Sequence, residues 1–389
     1  MFFGARGIFF ISLFLIFYKR RRMKRKRVVV AMSGGVDSSM AAALLKEEGY
    51  EVIGVTMKLF SLPKEYCKSE NLRSCCGWKA VEDANRVAIT IGISHYVVDF
   101  KKIFEERVIA DFCEEYGRGR TPNPCIRCNQ YIKFEALMDK AEALDADYLA
   151  TGHYARVEYD LKLERFLLRK GKDRVKDQSY FLYPLTQEQL SRTLMPVGHF
   201  TKKEVREKAK ELGLPVARRP ESQEICFVPD NDYAGFLRER IPKVIRPGPI
   251  LDVENRVVGQ HKGIAHFTIG QRRGMGIAAP QPLYVIAIRS DENSIVVGKN
   301  EHLYKKTLLT SRLNLISKDK LTESFKAKAK IRYKHREAKA ILSPFDSDQV
   351  LVQFEEPQRA ITPGQAVVFY DRDVVVGGGI IERAWEGES

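Results

Sequence analysis

The sequence lacks an apolar segment long enough to cross a bilayer. Its conspicuous hydrophobic run, Ile8–Tyr18, has 11 residues, whereas a transmembrane helix needs about 20. A basic cluster follows this run instead of preceding it, and no small-residue cleavage site is present, so the segment is unlike a secretory signal. We therefore predict that residues 1–27 are a disordered extension with Met23 as the functional start. We expect a cytoplasmic protein without stable membrane association.

The chain also lacks the dense, even set of cysteines that a disulfide scaffold requires. It has seven cysteines in 389 residues, an odd number in a long chain. Internal repeats and low-complexity tracts are absent as well. This usage favours a cytosolic protein whose thiols are catalytic or bind a metal.

Acidic residues are too few to balance the basic ones. The formal net charge is +15, and it would be +7 without the eight basic residues of the segment 19–27. A basic excess favours a polyanionic partner, with nucleic acid first among them, although the charge of the remaining body supports this only weakly. Hydrophobic residues make up 44% and charged residues 30% of the chain, which is typical of a globular protein of two or three domains.

The most informative segment of the chain is a glycine loop that lacks a lysine. The loop, Ser33–Ser39, lies between the apolar run Val28–Met32 and the helix-like run Met40–Glu48. A strand, a glycine turn and a helix start form a phosphate site, because the first N–H groups of the helix have no backbone partner. A Walker loop would end in Lys-Ser/Thr. Without that lysine, we predict a loop that holds the pyrophosphate to be expelled.

Strand and helix patterns alternate through the first half of the chain. Helical patterns at 38–48, 79–91, 101–116 and 132–145 separate four apolar segments, which we predict as the strands Val28–Met32, Glu51–Met57, His95–Asp99 and Asp147–Thr151. Such alternation predicts a doubly wound parallel sheet, an α/β architecture whose ligands bind beyond the carboxyl ends of the strands. The glycine loop, Met57, Asp99 and Gly152 all fall at such ends.

The pattern changes beyond residue 187. Helical patterns at 186–193, 201–212 and 232–240, the second opened by the capping box Thr201–Glu204, predict a small helical linking domain. After Pro247 short alternating runs with turn residues predict a C-terminal antiparallel β-barrel. Its strands are expected at 283–289, 294–298, 327–333, 338–342, 349–354, 366–370 and 374–382. We predict domains at 28–190 (catalytic domain), 191–250 (linking domain) and 251–386 (barrel).

Cys128 and Cys226 are the candidate catalytic thiols. Both lie in polar, turn-rich segments that look like active-site loops, and Arg120 and Arg127 near Cys128 favour its thiolate form. Two thiols from distant segments beside a loop that holds pyrophosphate suggest sulfur transfer, in which one thiol carries a persulfide and the other forms a disulfide with it.

Other interpretations of the thiols stay open at this stage. Cys226 suits a structural thiol beside Phe227. Cys125 and Cys128 form a Cys-x-x-Cys pair, which is half of a zinc site, or with Cys226 three ligands of an iron–sulfur cluster. We assign no role to four further cysteines, of which the first three are conceivable metal ligands: Cys67, Cys75, Cys76 and Cys113.

Several ordered motifs together resemble one enzyme family, the bacterial tRNA-specific 2-thiouridylases. The resemblance runs from Val28 to about Glu382. Its pieces are Ala31–Ser39, Arg120–Pro124, Ala150–Ala155, Lys176–Leu182, Glu221–Phe227, Phe267–Gly274, Arg332-Tyr333 and Pro363–Gln365. The glycine loop alone is shared with other N-type ATP pyrophosphatases, but the whole set is highly specific. The resemblance implies that the domain at 28–190 is an ATP-pyrophosphatase catalytic domain with an adenine nucleotide alpha hydrolase-like fold.

The resemblance also implies a reaction. ATP, accompanied by Mg²⁺, adenylates the C2 oxygen of the wobble uridine of tRNA. A persulfide on Cys226, loaded by a sulfur-carrier protein, delivers sulfur to C2 as AMP leaves. Cys128 then frees the sulfur by forming a disulfide with Cys226. Adenylation is needed because C2 is a poor electrophile, and the base leaves its stack at a cost of a few kcal/mol.

The family's functional positions map onto this sequence motif by motif. ATP-binding positions are Ala31, Met32, Ser33, Gly34, Gly35, Val36, Asp37, Ser38, Met57 and Gly152. Positions facing the target base are Asn123, Pro124 and Cys125, and further tRNA contacts are His153, Lys176, Asp177, Gln178, Arg332, Tyr333 and Gln365. No resident metal is expected. Some relatives carry Asp at the position of Cys125, so the assisting role proposed for that carboxylate does not transfer unchanged.

Three alternatives compete with this interpretation. The first is an iron–sulfur-dependent tRNA thiolase, the second a synthetase that adenylates a small molecule, and the third a non-catalytic RNA-binding protein with a vestigial loop. The synthetase leaves the basic body and the barrel without a role, and the intact glycine loop argues against the non-catalytic protein.

Overall fold

The computed structural model describes residues 25–61, 78–220, 225–228, 232–242 and 245–386. Most of the predicted extension, residues 1–24, lies outside this range, as do Cys67, Cys75, Cys76 and the motif residues 221–224. The described strands are β1 Arg27–Ala31, β2 Glu51–Lys58, β3 Ser94–Asp99, β4 Tyr148–Ala150, β5 Ala155–Asp160, β6 Arg165–Lys170, β7 Thr193–Leu194, β8 Gly248–Leu251, β9 Val257–His261, β10 Tyr284–Arg289, β11 Ser294–Gly298, β12 Tyr304–Leu315, β13 Phe325–Lys330, β14 Ala338–Asp346, β15 Gln349–Arg359, β16 Ala366–Asp371 and β17 Val374–Trp385.

The helices occur in the predicted order, and the helix predicted at 132–145 begins earlier, at Pro124. They are α1 Val36–Glu47, α2 Trp78–Ile91, α3 (Lys101–Phe104, Glu105–Ile109 and Ala110–Gly117 in succession), α4 (Pro124–Arg127, Cys128–Ala136 and Leu137–Glu142 in succession), α5 Gln187–Ser191, α6 Lys202–Glu211 and α7 Tyr233–Arg240. The segment around Cys128 was expected to be a loop and is helical instead. Pro124 occupies the first turn of α4, where its missing N–H costs no hydrogen bond.

Five parallel strands form the sheet of the N-terminal half, in the order β3-β2-β1-β4-β7. The parallel sheet predicted from the alternating patterns is confirmed, and the two-residue strand β7 extends it. The chain runs outward from β1 to β3 and then returns to β4 on the other side of β1. The order therefore reverses between β1 and β4, which makes the crevice at their carboxyl ends the expected ligand site.

Apolar layers cover both faces of this sheet. Val29 of β1 faces one core with Phe112 of α3 and Ile132 of α4. Val28 and Val30 face the other core, which contains residues of α1, α2 and α6. The continuous apolar run of β1 follows from burial on both sides, as parallel strands require.

A closed six-stranded barrel forms the C-terminal part. The order is β12-β15-β14-β13-β16-β17, every pair is antiparallel, and β17 pairs with β12 to close the ring. The predicted antiparallel barrel is confirmed. Strand β12 was not predicted, because register shifts against β17 break the two-residue alternation on which such a prediction depends.

A separate four-stranded sheet, β10-β11-β8-β9, precedes the barrel. The runs at 283–289 and 294–298 were expected in the barrel, but as β10 and β11 they belong to this sheet and enclose a small core around Ile250 and Val285. Alternation reports that a strand is half-buried but not which sheet it joins. The predicted helix at 232–240 is confirmed as α7.

The hairpin β5–β6 connects the two halves of the molecule. It follows β4 in the chain, and β6 pairs with β17 of the barrel through Arg169 and Val374. Among the described residues no helix combines the length and the apolar character that crossing a membrane requires.

Candidate active site

The glycine loop lies at the switch point between β1 and β4. Ser33 donates its backbone N–H to Ser38 Oγ at 3.1 Å, and Ser38 Oγ donates to the carbonyl of Gly35 at 3.2 Å. Gly35 caps α1 without a side-chain hydrogen bond, so the cap leaves the first N–H groups of the helix to an anion. Gly34 has φ +69°, and a Cβ there would lie 2.5 Å from the carbonyl oxygen of Ala80.

Gly152 lies directly against the start of α1. A Cβ atom on Gly152 would lie 2.5 Å from the backbone nitrogen of Ser38, so only glycine fits at this position. Met57, near the end of β2, buries its side chain in the core. The structure thus brings Gly152 to the glycine loop, while Met57 contributes to the floor of the sheet.

Asp37 is the centre of a polar cluster that the sequence did not reveal. Lys202 Nζ lies 2.8 Å from Asp37 Oδ1 and 2.7 Å from Oδ2. The hydroxyl of Tyr154 donates to Asp37 Oδ1 at 2.7 Å. Because Lys202 is 165 residues from Asp37, no local pattern could place it here, although the capping box did indicate where its helix begins.

Arg219 connects the glycine loop to α2. It donates to the carbonyl of Gly34 at 2.8 Å and forms an ion pair with the buried Asp83 of α2. This pairing offsets the cost of burying the Asp83 charge. The turn at Gly34 is therefore held by Arg219, which is itself held by Asp83 of α2.

Residues 119–123, here called the junction segment, lie where three parts of the molecule meet. Arg120 pairs with Glu115 at 2.8 Å and with Glu382 of β17. Thr121 donates its N–H to the carbonyl of Pro363 at 2.9 Å, and Gln365 Nε2 donates to the carbonyl of Thr121 at 2.9 Å. The barrel thus positions the segment that leads to Asn123 and into α4.

The junction segment also contacts the four-stranded sheet. The hydroxyl of Thr121 donates to that of Thr268 at 3.3 Å. A Cβ atom on Gly119 would lie 2.6 Å from Cγ2 of Ile288 in β10. The barrel, the four-stranded sheet and α3 therefore fix the backbone just before the candidate base-facing residues Asn123, Pro124 and Cys125.

The candidate thiols differ in burial. Cys125 is exposed, whereas Cys128 and Cys226 are half-buried and pack against the core on one face of the parallel sheet. Next to Cys226, Phe227 is buried and makes edge contacts with Phe104 and Phe112. The structure thus anchors this segment through Phe227 and leaves Cys226 partly accessible.

Arg120 and Arg127, which were expected to favour the Cys128 thiolate, form ion pairs with carboxylates. Arg127 Nε lies 3.2 Å from Asp111 Oδ1, and its Nη1 donates to Gln130 Oε1 at 3.1 Å. Arg120 is engaged by Glu115 and Glu382. The positive charges of the two arginines near Cys128 in the sequence are therefore shared with these acids. Within the described residues, no three Cys, His, Asp or Glu side chains gather as metal ligands.

The expected tRNA contacts on the β5–β6 side are largely buried. His153 stacks on Phe134, its Nδ1 lies 2.8 Å from Thr151 Oγ1, and burial holds its pKa well below the ordinary value. Asp177 accepts hydrogen bonds from the N–H groups of Gly171 and Ser179, and burial raises its pKa. Gln178 accepts the N–H of Tyr154 at 3.0 Å. These side chains hold the loop 171–179, on which Lys176 is half-buried.

Arg332 and Tyr333 lie on the facing barrel surface. Arg332 donates to the carbonyl of Arg359 at 3.1 Å, and the Tyr333 ring lies 4.4 Å from that of Phe181. A nearby cleft of about 540 Å³ separates the loop 171–179 from the barrel. Four basic and three acidic residues line it: Lys170, Arg174, Lys330 and Arg372, with Asp177, Glu337 and Asp373.

Comparison with known proteins gives the class of the chain. Residues 26–230 match a family model described as a tRNA methyl transferase HUP domain. Residues 234–299 match a tRNA methyl transferase PRC-barrel domain, and residues 305–381 match an aminomethyltransferase β-barrel domain. The chain thus has three parts, a HUP-type domain with a parallel sheet, a PRC-barrel-type middle domain with a four-stranded sheet and a closed C-terminal barrel.

The individual relatives give the family. The tRNA-specific 2-thiouridylase MnmA 2 of Thermoanaerobacter sp. (strain X514) is 54% identical over 340 residues, which are 87% of this chain and 93% of the relative. MnmA of Acetivibrio thermocellus is 53% identical over 339 residues, 87% and 94% of the two chains. A solved 4-thiouridine synthetase–RNA complex with bound ATP has 19% sequence identity and a TM-score of 0.35 to this structure. The match covers 56% of this chain and 51% of the synthetase chain. The chain belongs to the MnmA family of tRNA-specific 2-thiouridylases.

Proposed function

We propose that this protein is a tRNA-uridine 2-sulfurtransferase that uses ATP to replace the C2 oxygen of the wobble uridine by sulfur. The observation that carries the proposal is the glycine loop at the switch point of the sheet, in a chain that is 54% identical to a 2-thiouridylase over 87% of its length. A polar loop followed by an uncapped helix start suits a nucleotide's phosphates.

ATP is proposed to bind at residues 31–38, Met57 and Gly152. The close approach of Gly152 to the start of α1 supports this, because two backbone segments there can face the same phosphates. Mg²⁺ would arrive with the nucleotide, and Asp37 is the carboxylate of the glycine loop that it would meet. The C2 oxygen then attacks the α-phosphate, pyrophosphate leaves, and C2 carries an AMP leaving group.

Sulfur transfer is proposed to use both half-buried thiols. The terminal sulfur of a Cys226 persulfide forms a bond to C2, and the C2–O bond to AMP breaks. The Cys128 thiolate then attacks Sγ of Cys226. The Cys128–Cys226 disulfide forms, and the electron pair of the broken S–S bond stays on the sulfur now attached to C2. A dithiol reductant and a persulfide carrier protein restore the enzyme.

The tRNA is proposed to span the parallel sheet and the barrel. Asn123, Pro124 and Cys125 face the target base, and the junction segment that precedes them contacts the barrel and the four-stranded sheet. The further proposed contacts are His153, Lys176, Asp177, Gln178, Arg332, Tyr333 and Gln365. The cytoplasmic location and the domain boundaries at residues 190 and 250 also stay proposals.

The function is tested by following AMP and pyrophosphate release with an unmodified tRNA transcript, Mg·ATP and a persulfide donor. Release that requires the transcript is expected, because the adenylated group lies on the RNA. A transcript with cytidine at the wobble position is the matched control and should give no release. Release without RNA would instead favour a synthetase acting on a small molecule. Iron-free protein that is active would exclude the cluster-dependent variant.

A further inference from the structure

No lysine follows the glycines of the loop in the sequence, but the fold places Lys202 beside the loop. Lys202 places its ammonium group against both carboxylate oxygens of Asp37, in the first turn of α1. The Lys202 side chain is only 10% exposed and that of Asp37 29% exposed. The pair therefore lies at the rim of the crevice, with the carboxylate closer to solvent.

Local structure determines why Lys202 reaches this point. Thr201 caps α6 in a capping box with Glu204, so Lys202 is the first residue of the helix. Val205 and Ala209, four residues apart on one face, are buried in the same core as α1. This packing directs the start of α6 toward the start of α1. The backbone N–H of Lys202 is fixed as well, since it donates to Asp173 Oδ2 at 3.0 Å.

The electrostatics favour an exchange of partners when nucleotide binds. A pyrophosphate group carries more negative charge than one carboxylate, and charge-assisted bonds to phosphate are among the strongest hydrogen bonds. The ammonium of Lys202 can turn from Asp37 to a phosphate oxygen on its flexible four-carbon stem. Asp37 in turn becomes available to a cation that accompanies the phosphates.

We propose that Lys202 is a phosphate-binding residue that contacts the β- and γ-phosphates of ATP and the pyrophosphate they form. This deepens the proposed function and rests on it for the identity of the nucleotide. In this arrangement α6 supplies from a distant part of the chain the cation that the loop itself does not contain. Lys202 stabilises the negative charge that develops on the leaving pyrophosphate.

Binding of pyrophosphate and of AMP to the full-length protein without tRNA tests this by titration calorimetry. Lys202→Met should weaken pyrophosphate binding by about tenfold or more, because a hydrogen bond to a charged group is lost. AMP binding should change by less than about twofold. Lys202→Arg should recover part of the affinity. The control is Lys203→Met at the exposed neighbouring position, and this variant should bind both ligands as the wild type does.

A double variant separates contact from simple neutralisation of Asp37. If Lys202 contacts phosphate, Lys202→Met/Asp37→Asn should still bind pyrophosphate weakly. Full recovery in the double variant would overturn the proposal, as would unchanged pyrophosphate binding by Lys202→Met in folded protein. Because no tRNA is present, failure of thiolation in a separate assay would overturn the proposed function and leave this result standing.

Discussion

Burial distinguishes residues that have similar sequence surroundings. Cys113 is buried and desolvation raises its pKa, whereas Cys128 and Cys226 are half-buried. A thiol is nucleophilic as its thiolate, so burial argues against a reactive role for Cys113. The sequence could nominate Cys128 and Cys226 through their motifs, but it could not show that Arg120 and Arg127 are paired with acids.

His153 gives a residue-scale prediction for the dependence of stability on pH. The native pKa is depressed by burial, so the unfolded chain binds a proton near pH 6.5 that the native protein does not. Stability should therefore fall as the pH drops below about 6.5, by about 1.4 kcal/mol per pH unit for this one proton.

Urea unfolding of wild type and His153→Asn between pH 8 and 5.5 measures this. The asparagine amide can retain the contact with Thr151 Oγ1 but does not titrate. The two proteins should have equal slopes of unfolding free energy against pH above 7.5, and the variant should have the smaller slope below 6.5. Equal slopes throughout would contradict a buried, neutral His153.

The candidate active site is built at the ends of individual strands and helices. The glycine loop and the capping box of α6 were both predictable, because each is a local pattern of residues that satisfies free N–H groups. Their meeting at Asp37 was not predictable, since it depends on the packing of α6 against α1. Strand order was likewise not predictable: β10 and β11 have the alternation of barrel strands, but they pair with each other and β11 pairs with β8.

Two matched capping boxes give an element-scale prediction. Thr201 accepts the N–H of Glu204 at the start of α6, and Thr186 accepts that of Gln189 at the start of α5. Replacing either threonine by alanine should cost about 1 kcal/mol of stability, measured by urea unfolding. Only Thr201→Ala should also raise the KM for ATP, because Lys202 begins the affected helix. An equal KM effect from Thr186→Ala would contradict this.

At the scale of the whole molecule, the barrel reaches the site through the junction segment. Burial alone would raise the pKa of Glu382, but hydrogen bonds from Arg120 and Ser311 lower it below the ordinary value. The carboxylate is therefore charged and holds Arg120 in place. The sequence predicted the sheet and the barrel as separate units, and long-range pairs such as Arg120–Glu382 leave no local signal.

Glu382→Gln tests this long-range coupling. The variant should lower kcat for thiolation by about tenfold, because a small displacement of catalytic groups has a large cost in rate. Its KM for ATP should be unchanged, since the side-chain partners of Glu382 are Arg120 and Ser311 and the glycine loop lies at the other sheet. Glu386→Gln is the control, as Glu386 pairs with Lys305 at the surface. Equal kcat values for the two variants would contradict a positioning role.

The central claim, sulfur transfer through Cys226, is tested most directly by mass spectrometry of nucleosides from the tRNA transcript. Wild type and Cys113→Ala should both form 2-thiouridine at the wobble position with ATP and a persulfide donor. Cys226→Ser should form none above background while AMP release with the transcript continues, because adenylation precedes the thiol step. Thiolation by Cys226→Ser at the wild-type rate would contradict the account.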